Sequence, residues 1–147
     1  MESSAIEIVL IEDNPHDAEM TLRALKKSNM ANNIIHLKDG VEGLEYIFGE
    51  GAYAGRDLSQ KPKAILLDLK MPRINGIEVL KKLKAHEETR HIPVIVLTSS
   101  DEDPDVATCY SLGVNSYIVK PVGFENFLKA ITNLGFYWLL LNHPPKK

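Results

Sequence analysis

The chain has 147 residues, the length of one ordinary domain, and its 44% hydrophobic and 25% charged residues are globular values. The formal net charge is -3, with 17 Lys and Arg scattered among 20 Asp and Glu. That distribution lacks the basic stripe that neutralises a phosphate backbone, so nucleic acid is not an expected partner.

Five apolar, partly β-branched runs alternate with helix-like stretches: residues 6–11, 33–37, 64–67, 94–98 and 117–119. Because these runs lack polar alternation, they predict strands buried on both faces, as in a parallel sheet covered by helices. The expected fold is doubly wound α/β with a five-stranded parallel sheet.

The first helix has Asn14 as N-cap and Pro15 in its first turn, where a missing N–H costs nothing; its core face is Ala18, Leu22 and Leu25. Asp39 caps the second helix, with Glu42 three residues later and Leu44 and Phe48 as apolar anchors. Residues 49–62 contain three glycines and a proline and read as a long loop, either a solvated spacer or a partner contact.

Helical spacing then marks two core-facing stripes, Gly76, Val79, Leu80 and Leu83, followed by Val106, Cys109, Tyr110 and Gly113. A final helix beginning near Phe124 uses Phe127, Leu128 and Ile131. Residues 136–141 are apolar around the whole circumference, so either neighbouring helices and the tail cover the excess or Phe136, Tyr137, Trp138 and Leu140 form a subunit contact. Pro144 and Pro145 end the helix.

Cys109 is the only cysteine, which precludes an intramolecular disulfide, and residues 1–4 lack the basic and apolar regions of a signal peptide. No apolar segment approaches the ~20 residues of a membrane-spanning helix. A soluble cytoplasmic protein is expected, with one domain over residues 1–147 and no membrane partner. The five histidines show no zinc-ligand spacing, and Cys109 reads as a small packing residue.

The chemistry concentrates at strand ends. Glu12 and Asp13 end the first run and Asp68 ends the third. If those strands are parallel neighbours, three carboxylates crowd at the sheet edge where open α/β folds bind ligands. Like charges oppose one another's ionisation, and hard divalent ions prefer carboxylate oxygens, so a Mg²⁺ (or Mn²⁺) site is expected. Taken singly, Glu12 and Asp13 could instead cap the following helix.

Thr98-Ser99-Ser100, Tyr117 and Lys120-Pro121 belong near the same edge. A nucleophilic Asp68 oxygen, a cation, the Lys120 charge and the Thr98 hydroxyl would together stabilise a phosphoryl group in transfer. Alone, Lys120 would read as a surface lysine and Tyr117 as a core ring.

These residues resemble the motif set of the response-regulator receiver domain of two-component signalling, over nearly the whole length. Glu12-Asp13 is similar to the family's acidic pair, Asp68 to its phosphoacceptor, Met71-Pro72 with Gly76 to the following segment, Thr98 and Tyr117 to the switch pair, and Lys120-Pro121 to its lysine and proline. The resemblance implies a flavodoxin-like (βα)5 fold, with a core over about residues 5–135 and an extension and tail over residues 136–147. It implies that Asp13, Asp68 and the Lys70 carbonyl coordinate Mg²⁺, with Glu12 acting through water. It also implies a phosphoryl group accepted from a histidine kinase, without enzymatic turnover of other substrates. Lys70 and Ser100 should then tune the lifetime of the phosphorylated state.

Residues 49–53 and the segment from Phe136 to Pro145 further resemble small stand-alone receivers associated with phytochrome-type histidine kinases, which implies such a partner and a homodimer through the C-terminal half. Three rivals stand beside this reading. One is a constitutively dimeric, phosphorylation-independent adaptor. Another is a haloacid-dehalogenase-like phosphatase, disfavoured because Lys70 stands where its general acid belongs. The third is a flavodoxin-like electron carrier, disfavoured because the first strand lacks a phosphate-cradling Gly-rich turn.

Overall fold

A computed structural model describes residues 7–27, 33–59, 61–98, 103–114 and 116–119. Along them run β1 (Glu7–Ile11), α1 (Pro15–Lys27), β2 (Asn33–Leu37), α2 (Gly40–Phe48), a 3₁₀ turn (Gly51–Tyr53), β3 (Ala64–Leu67), α3 (Gly76–Ala85), β4 (Val94–Thr98), α4 (Asp103–Ser111) and β5 (Ser116–Val119). β2, β3 and β4 coincide with their apolar runs, and β5 starts one residue earlier than expected. The expected final helix and residues 136–141 lie outside the described residues. Among the described residues no helix is long and apolar enough to cross a membrane.

The strands form one sheet in the order β2-β1-β3-β4-β5, and every neighbouring pair is parallel. Successive side chains on a strand point to opposite faces. Val9, Ile11, Ile65, Leu67, Val94 and Val96 accordingly join one core with Tyr46, Ile47, Val79, Leu80, Leu83 and Cys109 from α2, α3 and α4. Ile8, Leu10, Leu66, Ile95 and Leu97 join a second core with Ala18 and Leu25 of α1. A core on each face explains why β1, β3 and β4 read as continuous apolar runs. The edge strands β2 and β5 are only partly buried, because each has a neighbour on one side alone. The doubly wound, flavodoxin-like expectation holds.

The helix starts follow their caps. The Asp17 amide donates to Asn14 Oδ1 at 2.9 Å, and the Glu42 amide to Asp39 Oδ1 at 2.8 Å. Glu42 reaches back to the amide of Lys38 at 2.9 Å, one residue before the cap itself. Asn75 caps α3, accepting from the Glu78 amide at 3.1 Å, and α3 buries Gly76, Val79, Leu80 and Leu83 as the spacing predicts.

Two helix faces differ from expectation. On α2 the buried residues are Gly40, Gly43, Tyr46 and Ile47, while Leu44 and Phe48 are only partly covered. Glycines let the helix approach closely: a Cβ on Gly43 would lie 2.6 Å from Ile11 Cδ1. Hydropathy spacing cannot register that contact. On α4, Cys109 is fully buried and Val106 partly, but Tyr110 is 51% exposed. Successive helical residues project about 100° apart, so the turn that buries Cys109 carries Tyr110 off the sheet.

The first half of the 49–62 loop is more than a spacer. Gly49, with φ of 67°, ends α2 in the left-handed region that glycine tolerates. The Tyr53 hydroxyl then donates to Glu42 Oε2 at 2.7 Å, and its ring meets Tyr46 edge-on at 5.2 Å. The Arg56 guanidinium stacks 3.8 Å over the Tyr46 ring, and its Nε donates to the Tyr46 carbonyl at 2.8 Å. The segment packs back on α2.

Candidate functional site

Strand order reverses at β1 and β3, because the chain passes from β1 outward to β2 and then returns to β3 on the other side. Ligands bind at the carboxyl ends of strands flanking such a switch point. The register pairs Ile11 with Leu67, so the residues that follow them leave the sheet together. The Asp68 amide donates to the Ile11 carbonyl at 3.1 Å and the Glu12 amide to the Leu37 carbonyl at 3.0 Å, extending the ladder to the acids. One carboxylate oxygen from each of Glu12, Asp13 and Asp68 lies within 4.8 Å of the other two.

Glu12 is 1% exposed and Asp68 6%, whereas Asp13 is the most open of the three. Amide donors offset part of the charge: Asn14 N–H reaches Glu12 Oε2 at 3.1 Å, and Lys70 N–H reaches Asp68 Oδ1 at 3.3 Å. The first of these contributes to the start of α1, so Glu12 serves that turn as well as the cluster. Three hard oxygen donors without histidine or cysteine fit Mg²⁺ or Mn²⁺ rather than zinc. Bringing such groups together is unfavourable unless a cation offsets their repulsion. His36 Nε2 lies 2.8 Å from the Glu12 carbonyl oxygen, bracing the same turn from β2.

Thr98 ends β4 with no exposure. Leu67 pairs with Val96, which places Thr98 on the strand beside the one that delivers Asp68. Tyr117 on β5 pairs with Val96 and packs, partly buried, on the core beneath α2, α3 and α4. Lys70 turns its side chain outward, 57% exposed, toward Asp105 on α4. Lys120 follows Val119, the register partner of Thr98, but itself lies outside the described residues, as do Ser99, Ser100, Phe136, Tyr137, Trp138 and Leu140.

Two site-supporting contacts are not legible in sequence. Arg73 Nη1 lies 3.1 Å from Asp39 Oδ2, joining the loop after Asp68 to the start of α2. Gly76 sits against the Asp68 carbonyl, where a Cβ would collide with that oxygen and lie 2.7 Å from Leu69 Cα. Gly76 stands in the motif segment read from the sequence, but its close approach to the Asp68 backbone has no local signature, and an ion pair between residues 39 and 73 has no periodic one. Burial pushes the Cys109 thiol up to about 11, with the Asp105 charge adding to the effect, so Cys109 is a packing residue.

Known proteins share this arrangement. The model of the response regulator receiver domain family matches residues 8–132. The chain is 40% identical over 139 residues to the probable methanogenesis regulatory protein FilR2 of Methanothrix harundinacea, covering 94% of this chain and 86% of that protein. It is 34% identical over 132 residues to response regulator Rcp1 of Synechocystis, covering 90% and 88% respectively. The solved Mn²⁺-bound form of Rcp1 aligns with a TM-score of 0.83 at 33% identity, over 96% of this chain and 99% of that one. The bacteriophytochrome response regulator AtBRR aligns at 0.76 with 47% identity, over 96% and 100%. With the acids of β1 and β3 brought together at the switch point and a family match over most of its length, the chain belongs to the response regulator receiver domain family of two-component signalling.

Proposed function

We propose that the chain works as a stand-alone phosphoacceptor, taking a phosphoryl group from a histidine kinase onto Asp68 and switching a protein-interaction surface in response. The observation that carries this is the convergence of Glu12, Asp13 and Asp68 within 4.8 Å at the switch point. An Asp68 carboxylate oxygen attacks the phosphorus of the kinase phosphohistidine. The P–O bond forms as the P–N bond breaks, and the imidazole nitrogen leaves with the electron pair. Asp13, Asp68 and the Lys70 carbonyl would hold a Mg²⁺ or Mn²⁺ ion, with Glu12 acting through water. When bound, that ion offsets the negative charge of the acids and of the transferring group.

The Thr98 hydroxyl would hydrogen-bond a phosphoryl oxygen, and Lys120 would supply a fixed positive charge. Contacts made only in the phosphorylated state shift the population toward an arrangement in which Thr98 and Tyr117 have moved, altering the surface near α4 and β5. The kinship with phytochrome and bacteriophytochrome response regulators supports a phytochrome-like kinase as partner. Phe136, Tyr137, Trp138 and Leu140 supply a homodimer contact in this reading.

Incubation with a small phosphodonor and Mg²⁺, followed by intact mass, tests the acceptor. The expected result is one added phosphoryl group, absent without Mg²⁺ and absent in Asp68→Asn. No added mass, or addition that survives Asp68→Asn, overturns the reading in favour of an adaptor that does not depend on phosphorylation.

A further inference from the structure

The loop between β3 and α3 leaves the site at Lys70 and closes at Gly76, whose amide donates to the Leu69 carbonyl at 2.8 Å. Its tip has an unusual backbone. Arg73 has φ of 71°, the only positive value at a non-glycine residue among the described residues. The Ile74 amide donates to the Pro72 carbonyl at 2.8 Å, which makes the tip a γ-turn centred on Arg73. A γ-turn with positive φ is rare and strained, and a side-chain-bearing residue persists there only when its surroundings hold it. Glycine would meet the backbone requirement more easily, so the arginine side chain needs a separate explanation.

Asp39 supplies one. Its carboxylate divides its two oxygens: Oδ1 accepts the Glu42 amide at 2.8 Å and caps α2, while Oδ2 accepts Arg73 Nη1 at 3.1 Å. The Asp39 side chain is only 12% exposed. Beside it, Gly40 packs so closely on the loop that a Cβ would lie 2.6 Å from Ile74 Cγ2 and 2.9 Å from the Ile74 carbonyl. The loop tip therefore rests on the first turn of α2 at two adjacent points, one ionic and one apolar. At the loop's near end, the Lys70 amide donates to Asp68 Oδ1 at 3.3 Å. A short, pinned loop thus runs from the α2 cap to the Asp68 carboxylate.

We infer that Asp39 and Arg73 are positioning residues of the Asp68 site. Their ion pair holds the loop in its strained turn, and through the loop it sets the Lys70 backbone against Asp68 and raises the cation affinity of the Glu12–Asp13–Asp68 cluster. This role rests on the cation-site reading above and adds α2 to the elements that support it. Groups that orient ligands from behind commonly govern metal affinity without touching the metal.

Two substitutions isolate the pair from its local duties. Asp39→Asn retains a good N-cap while removing the charge that faces Arg73. Arg73→Gly tolerates the positive φ while removing the guanidinium. Isothermal titration calorimetry with MgCl₂ and MnCl₂ reads the cation affinity of each protein, and hydrogen exchange reads the amides of residues 70–74. Each variant should bind roughly tenfold more weakly, the low end for outer-shell partners of metal ligands. The double variant should be no worse than the poorer single one, and Arg73→Lys should recover part of the loss. Exchange should quicken in the loop while α3 stays protected. If the wild type takes up neither cation, the cation-site reading falls and this role with it. If the wild type binds and both variants bind equally well, the positioning role alone falls. Losses that simply add in the double variant also overturn it.

Discussion

The Lys70 ammonium stands 3.5 Å from Asp105 Oδ2, joining the loop beside Asp68 to the first turn of α4. The lysine side chain is 57% exposed and the aspartate 20%, so the pair spans the rim of the site with its anionic partner the better covered. An acid in the first turn of a helix is also favoured by the helix dipole. The arrangement ties a residue two positions after the proposed acceptor directly to α4.

Asp105→Asn should therefore separate stability from signalling. Exposed ion pairs contribute about 0–1 kcal/mol, so thermal unfolding should shift little. The lifetime of phosphorylated Asp68 should nevertheless change, because the released Lys70 is free to reach the phosphoryl group. Decay of the phosphoprotein, followed by intact mass, measures it; an unchanged lifetime would count against the coupling.

Removing one acid from the cluster should relieve repulsion. In the absence of divalent cation, Asp68→Asn should stabilise the fold by ~1 kcal/mol or somewhat more: two unit charges a few ångströms apart interact by about 1 kcal/mol in bulk water, and burial of Glu12 and Asp68 weakens that screening. Saturating Mg²⁺ should reverse the ranking: at a hundredfold excess over Kd a bound ligand stabilises the wild type by about 2.7 kcal/mol, and the variant gains less. Denaturant unfolding with and without MgCl₂ reads both effects.

Gly76→Ala should be among the costliest small substitutions near the site. The added methyl would meet the Asp68 carbonyl and Leu69 Cα, backbone atoms that cannot rotate away. Overpacking of this kind costs about 1–3 kcal/mol, and the displaced Asp68 should also lose cation affinity. Gly55→Ala is the contrast, with nothing within 4 Å of its Cβ and only a φ of 89° to resist it. Urea unfolding should rank Gly76→Ala as the more destabilising of the two.

Tyr46 predicts an alkaline limit to stability. Burial first, then the hydrogen bond its hydroxyl donates to Glu7 Oε2 at 2.7 Å, pushes its ionisation from 10.0 up to about 12. A raised value favours the protonated form in the folded state, so this stabilisation is complete below pH 10 and is lost as pH rises toward about 12. Tyr46→Phe should cost about 1 kcal/mol at neutral pH for the missing hydrogen bond. It should also flatten the decline across that alkaline window, which unfolding measured against pH would reveal.

Local chemistry alone located much of this molecule. The runs at residues 64–67 and 94–98 became strands because both of their faces are buried, and Asn14 and Asp39 capped helices because each offers an oxygen to an amide three residues on. Hydropathy spacing does not show the α2 contact line because Gly40 and Gly43 pack by having no side chain, and it points Tyr110 inward because it does not reveal how narrow a contact strip will be. The role of Arg73 is hidden for a further reason: its partner Asp39 belongs to a different βα unit.

The sequence by itself determined which residues would form buried strands, which acids would end them and which motif set they compose, since each depends on neighbours along the chain. Only the tertiary structure decided that β1 lies between β2 and β3 with Ile11 opposite Leu67. That order and register draw Glu12, Asp13 and Asp68 together and set Asp39 within reach of Arg73. Contacts of that kind arise from strand order and the docking of helices across a sheet, which no local period in the chain encodes.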